Sequence, residues 1–126
     1  MIGDDYGPFV EVCTTLLEPE FEIVGIAYDG LELLFEVRLQ HPDAVILDVT
    51  MPRADGLTAG AQLKKENPAI RLVFVTANSS LFLKAPLVEL GALGVVVKGK
   101  GSDLRGAVRS SLAARLHALK HSASCG

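Results

Sequence analysis

The chain has 126 residues, 49% of them hydrophobic, with 12 Lys and Arg against 15 Asp and Glu for a formal net charge of −3. That is one domain's worth of chain with enough apolar content to bury a core, which sets aside a disordered reading. The acidic balance argues against broad nucleic-acid binding by this segment, and no apolar run approaches the ~20 residues of a membrane span.

Met1-Ile2-Gly3 reads as the remnant of an apolar run in front of Asp4-Asp5, where the apolar part of a secretory signal would otherwise begin. Pro8 suits a first helical turn, and Phe9, Val12, Cys13, Leu16 and Leu17 follow at helical spacing. Glu22 to Ala27 reads as a strand ended by Asp29-Gly30, and Leu31 to Leu39 as a helix closed by His41-Pro42. Ala44 to Asp48 is a continuous apolar run ending in a carboxylate, the pattern of a parallel strand buried on both faces. Asp55-Gly56 precedes a helix to about Glu66, which Asn67-Pro68 breaks, and Arg71 to Thr76 is the next strand. Ser79 or Ser80 caps a predicted helix to Leu90, with Pro86 inside it at a cost of ~3 kcal/mol. Gly94 to Lys98 is the last strand. Ser102 caps a final helix with Leu104, Val108, Leu112, Leu116 and Leu119 on one face. Residues 1–121 are expected to form one domain, and Ser122 to Gly126 a frayed tail. Cys13 and Cys125 make no disulfide framework, so a reducing, cytoplasmic setting is expected.

Strands alternating with helices imply an α/β fold. Five βα units at this spacing predict a flavodoxin-like (βα)5 doubly wound parallel sheet, strand order 2-1-3-4-5, with a truncated first strand. That strand is central in this order. Three residues pair with only part of each neighbour, and unpaired buried backbone groups cost ~1–3 kcal/mol each.

Asp5, Asp48, Thr76 and Lys98 each close a different predicted strand, so the order brings them to one edge, where such sheets bind ligands. Crowded carboxylates at Asp4, Asp5 and Asp48 favour an oxygen-ligated Mg2+. Asp48 is also a candidate nucleophile, Lys98 a point positive charge for a phosphoryl oxygen, and Thr76 a hydrogen-bond donor for another. Taken singly, each has an ordinary reading: an Asp as helix cap, an Asp pair on a surface, a Thr or Lys at a solvated strand end. The conjunction in this order is far more specific than any member. His117, His121 and Cys125 have chelating i, i+4, i+8 spacing, but read more simply as a polar helix end.

This constellation resembles the receiver domain of two-component response regulators over about Ile2 to Leu119. The matching residues are Asp4-Asp5, Leu47-Asp48, Met51-Pro52, Gly56, Val75-Thr76-Ala77, Gly91-Ala92 and Lys98. The resemblance implies that Asp48 takes a phosphoryl group from a sensor histidine kinase or phosphotransfer protein. It implies Mg2+ held by Asp5 directly, by Asp4 mainly through water, by Asp48, and by the backbone carbonyl of Thr50. Thr76 and Lys98 would bind the phosphoryl group, with Thr50 and Asn78 flanking it. The chain departs from the pattern in its short first strand, in Val95 where receivers usually carry Tyr or Phe, and in Gly99 where many have Pro.

The expectation is a switch rather than a metabolic enzyme, acting on an output domain or partner protein. Transcription regulation and a homodimer both stay open. The chain stops soon after its last predicted helix, so no DNA-binding domain is expected within it. One rival is a degenerate receiver working by constitutive contact, which Val95 and the short first strand favour and the intact Asp5, Asp48, Thr76 and Lys98 oppose. Another is a Mg2+-dependent phosphatase or hydrolase. Such enzymes need a general acid near the nucleophile, commonly two residues on, where Thr50 serves poorly.

Overall fold

The computed structural model describes residues 1–49, 55–77, 93–98 and 104–113. Among them, β1 (Ile2–Gly3), β2 (Ile26–Ala27), β3 (Ala44–Asp48), β4 (Arg71–Thr76) and β5 (Gly94–Val97) form one parallel sheet in the order β2-β1-β3-β4-β5. The helices are α1 (Gly7–Leu17), α2 (Gly30–Gln40), α3 (Gly56–Glu66) and α4 (Leu104–Ala113). This is the expected flavodoxin-like doubly wound architecture, with a short first strand.

Alternate side chains of each strand point to opposite faces, so an unbroken apolar strand feeds two cores. Val45, Leu47, Leu72 and Phe74 join Leu33, Val37, Ala59 and Leu63 of α2 and α3 on one face. Ile2, Ile46, Val73 and Val75 join Val10, Cys13 and Leu17 of α1 and Leu104 and Val108 of α4 on the other. Both α2 and α3 start on an aspartate. Asp29 accepts from the Glu32 N–H at 2.8 Å, and Asp55 from the Thr58 N–H at 2.7 Å. α2 ends at His41 in the left-handed conformation, φ 49°.

The second strand is shorter than its sequence suggests. The Ile2 N–H donates to the Gly25 carbonyl at 3.1 Å, and the ladder covers only Ile26 and Ala27, not Glu22 to Val24. A strand exists only where it has a partner, and β1 offers two residues. A cavity of about 290 Å3 opens beside Met1, with Leu17, Ile23, Ala44, Ile46 and Val108 among its walls. α1 also turns differently from its apolar spacing: it buries Val10, Cys13 and Leu17, leaving Val12 and Leu16 exposed.

Register sets the site. Gly3 lies beside Leu47, so Asp4 follows β1 level with Asp48; Asp48 pairs with Val75, and Thr76 with Val97, next to Lys98. At the start of α3, the Gly56 N–H donates to the Val49 carbonyl at 2.8 Å. A Cβ there would stand 1.8 Å from the Asp48 carbonyl oxygen, so only glycine allows this approach. No helix among the described residues is long and apolar enough to cross a membrane. Thr50, Met51-Pro52, Asn78, the helix expected from Ser79 or Ser80 to Leu90, Gly91-Ala92, Gly99, Ser102, His117, His121, Cys125 and the tail lie outside the described residues.

Candidate functional site

Asp4, Asp5 and Asp48 converge at the carboxyl edge of the sheet, each offering one carboxylate oxygen within 4.8 Å of the others. Asp4 and Asp48 are buried, and Asp5 is exposed to solvent. The Lys98 ammonium lies between the buried pair, 2.8 Å from Asp4 Oδ2 and 3.4 Å from Asp48 Oδ2. Its place is set by the backbone: the Lys98 N–H donates to the Thr76 carbonyl at 2.8 Å, carrying the end of β5 alongside β4. Thr76 itself is buried at that end. Sequence reasoning therefore picked out five side chains, Asp4, Asp5, Asp48, Thr76 and Lys98, that the fold places at one edge.

Three carboxylates face one ammonium here, so a second cation has charge to neutralise. Asp4 Oδ1 accepts the Tyr6 N–H at 2.9 Å. Asp4 Oδ2 is fully buried and has the Lys98 charge against it without a well-aligned hydrogen bond. A buried carboxylate oxygen held only this way, beside two more carboxylates, fits a hard divalent cation with oxygen ligands. Burial works to lower the Lys98 pKa. The close polar contact with Asp4 and the charges of Asp48 and Asp4 outweigh it, holding the pKa above the ordinary lysine value. Lys98 thus stays cationic while it shares two carboxylates.

Two neighbours of this centre were not recognisable as such in the sequence. Lys98 Nζ lies 4.5 Å from the centroid of the Phe9 ring, within cation–π range. Cys13 is completely buried; burial first, then the Asp4 charge, push its thiol up to about 12 against the opposing effect of Lys98. Helical spacing marked both residues as apolar, which is correct. Nothing local announced a lysine 89 positions after Phe9. Val95 packs against the core cluster under α2 and α3 and pairs with Phe74.

The profile of the family described as "Response regulator receiver domain" matches residues 1–109. The chain belongs to that family. It is 33% identical over 86 residues to the chemotaxis protein CheY of Listeria monocytogenes, covering 68% of this chain and 72% of that protein. A protein-glutamate methylesterase/protein-glutamine glutaminase of Anaeromyxobacter dehalogenans is 36% identical over 85 residues, 67% of this chain. The match spans only 25% of the methylesterase's length. The fold superimposes on a chain from the crystal structure of a CheX–CheY–BeF3–Mg2+ complex of Borrelia burgdorferi with a TM-score of 0.79. There the identity is 27%, covering 89% of this chain and 84% of that one. This receiver domain is similar to a chemotaxis protein over most of that protein's length and to a segment of a longer methylesterase, and the phosphatase and degenerate readings are not favoured.

Proposed function

We propose that this receiver domain is a switch controlled by phosphorylation of Asp48, not an enzyme acting on a separate substrate. The observation that carries the reading is the Lys98 ammonium poised between Asp4 and Asp48 at the sheet edge. The donor is a sensor histidine kinase or a phosphotransfer protein. An Asp48 carboxylate oxygen attacks the phosphorus; the bond from phosphorus to the donor breaks, its electron pair leaves with the donor, and an acyl phosphate remains. Lys98 then exchanges a carboxylate for a phosphoryl oxygen, and Thr76 donates a hydrogen bond to another. Asp5, Asp48, Asp4 through water, and the Thr50 backbone carbonyl would hold Mg2+, which supplies positive charge against the phosphoryl oxygens.

Phosphorylation adds roughly −1.5 to −2 charge and acts by shifting a two-state element toward an output domain or partner protein in the cytoplasm. Val95 has no ring to report a movement of Thr76, so the response differs from one relayed by an aromatic rotamer. The test is intact mass after incubation with Mg2+ and a small phosphodonor. Wild type should gain one phosphate and Asp48→Asn none. Equal gain by both, or undiminished gain in excess chelator, would overturn the reading.

A further inference from the structure

Three large apolar side chains stand outward on α2: Leu31, Phe35 and Leu39, exposed to 52%, 62% and 60%. Residues four apart lie above one another on a helix, so these form one stripe. The opposite side of the same helix puts Leu33 and Val37 into the core. A helix apolar on both faces ordinarily has both faces covered, and a continuous exposed apolar patch marks an interaction site. The fold does not require this stripe. The neighbouring α3 presents only Thr58, Ala61 and Lys65 to solvent at the corresponding spacing, with no large apolar side chain among them.

The charges beside the stripe say what covers it. Glu32 and Glu36 follow one side at helical spacing, both partly exposed. Arg38 borders the other side, but Glu66 accepts from its Nε at 2.8 Å and its Nη2 at 2.6 Å, cancelling its charge. Half-buried Leu34 widens the apolar band on that side. The rim is therefore net acidic. An anionic lipid surface is repelled by it. In an antiparallel two-fold pair, a second copy would set Glu32 and Glu36 beside their own equivalents, like charge on like charge.

We propose that the outward face of α2 docks a cationic amphipathic helix of a partner protein. Its apolar residues at i, i+4 and i+8 would cover Leu31, Phe35 and Leu39, with Lys or Arg beside Glu32 and Glu36. This surface is separate from the carboxylate site, so the proposal does not depend on phosphorylation.

The test is an NMR titration of the full chain with two synthetic helical peptides sharing one leucine stripe, flanked by Lys in one and by Glu in the other. The Lys peptide should shift amides across Leu31 to Leu39 and bind at least about tenfold tighter than the Glu peptide. Phe35→Gln with Leu39→Gln should weaken it about tenfold or more without changing the melting temperature, since both residues face water. Asp48→Asn should bind like wild type. Equal affinity for the two peptides, shifts centred on Asp4 and Asp48, or shifts that track protein concentration without peptide would each overturn the proposal; the last would assign the stripe to a second copy.

Discussion

At the carboxyl edge of the sheet the cation Lys98 rests on two carboxylates, Asp4 and Asp48. At the amino edge two cations rest on backbone carbonyls: Arg71 donates through Nη1 to Asp43 O at 2.6 Å, and Lys64 through Nζ to Ile70 O at 2.6 Å. The difference separates machinery from scaffold. A carbonyl has a fixed place in the chain, so it holds its cation in one geometry. A carboxylate holds an ammonium just as well as it holds a metal ion, so the contact at the carboxyl edge is exchangeable. The sheet is finished for exchange at one edge and for permanence at the other.

The largest expected effect comes from removing the cation at each edge. Lys98→Met leaves Asp4 as a buried charge without its partner, a loss of ~3–5 kcal/mol for breaking a buried pair. Arg71→Met removes the donor to the Asp43 carbonyl, which belongs to an exposed residue and can turn to water, a loss of roughly 0.5–1.5 kcal/mol. Urea denaturation with and without Mg2+ separates the two. Magnesium should restore much of the Lys98→Met loss and none of the Arg71→Met loss. Equal response to the metal would erase the distinction between the edges.

Gly56→Ala tests how tightly the carboxyl edge is built. Its Cβ would meet the Asp48 carbonyl oxygen at 1.8 Å, Asp48 C at 2.7 Å and Val49 Cα at 2.8 Å, all backbone. Overpacking of this kind costs ~1–3 kcal/mol, and the shift displaces Asp48 as well. Both the urea midpoint and the phosphorylation rate should fall; a fall in only one would mean that α3 and Asp48 move independently.

At the amino edge, four β-branched residues added in front of Met1 should run into the cavity of about 290 Å3 and extend both ladders. The melting temperature should rise by several degrees, about the effect of ~1 kcal/mol in a domain of this size. No change would mean that Glu22 to Val24 and Ala44 already have adequate partners.

The smallest effect is a pH dependence at the exposed pair linking α2 and α3. Hydrogen bonds from Arg38 and then from Gln62 lower the Glu66 pKa to about 2 from an ordinary 4.5. A depressed carboxylate contributes stability above pH 4.5 that is lost as pH falls toward 2. The pair is open to water, so the contribution is small and screened by salt. Arg38→Met should flatten that part of the stability curve and leave neutral pH nearly unchanged.

The strands Ala44–Asp48 and Arg71–Thr76 were legible to the residue. A strand buried on both faces carries an unbroken apolar run, so the polar side chains that bound the run mark its ends. That is also why Asp48 and Thr76 could be picked out as edge residues. Asp55 at the start of α3 was readable from local chemistry, whereas Asp29 read as the end of a strand and proves to cap α2. Strand 2 was not, because the apolar content of Glu22 to Ala27 says nothing about whether a neighbour is long enough to pair with it. The rotation of α1 was not legible either. Phe9, Val12, Cys13, Leu16 and Leu17 span too wide an arc for spacing to choose the buried side, and docking against β1 and β3 chose Val10, Cys13 and Leu17.

By itself the amino-acid order determined the order of strands and helices, where the buried strands β3 and β4 stop, and which polar groups stand at those stops. Only the tertiary structure decided that Lys98 bridges Asp4 and Asp48 beneath the ring of Phe9, and that α2 keeps a second apolar face in water. Periodicity and turn chemistry act over a few residues, whereas an ion pair joining positions 4, 48 and 98 exists only after the register of three strands has brought them to one edge.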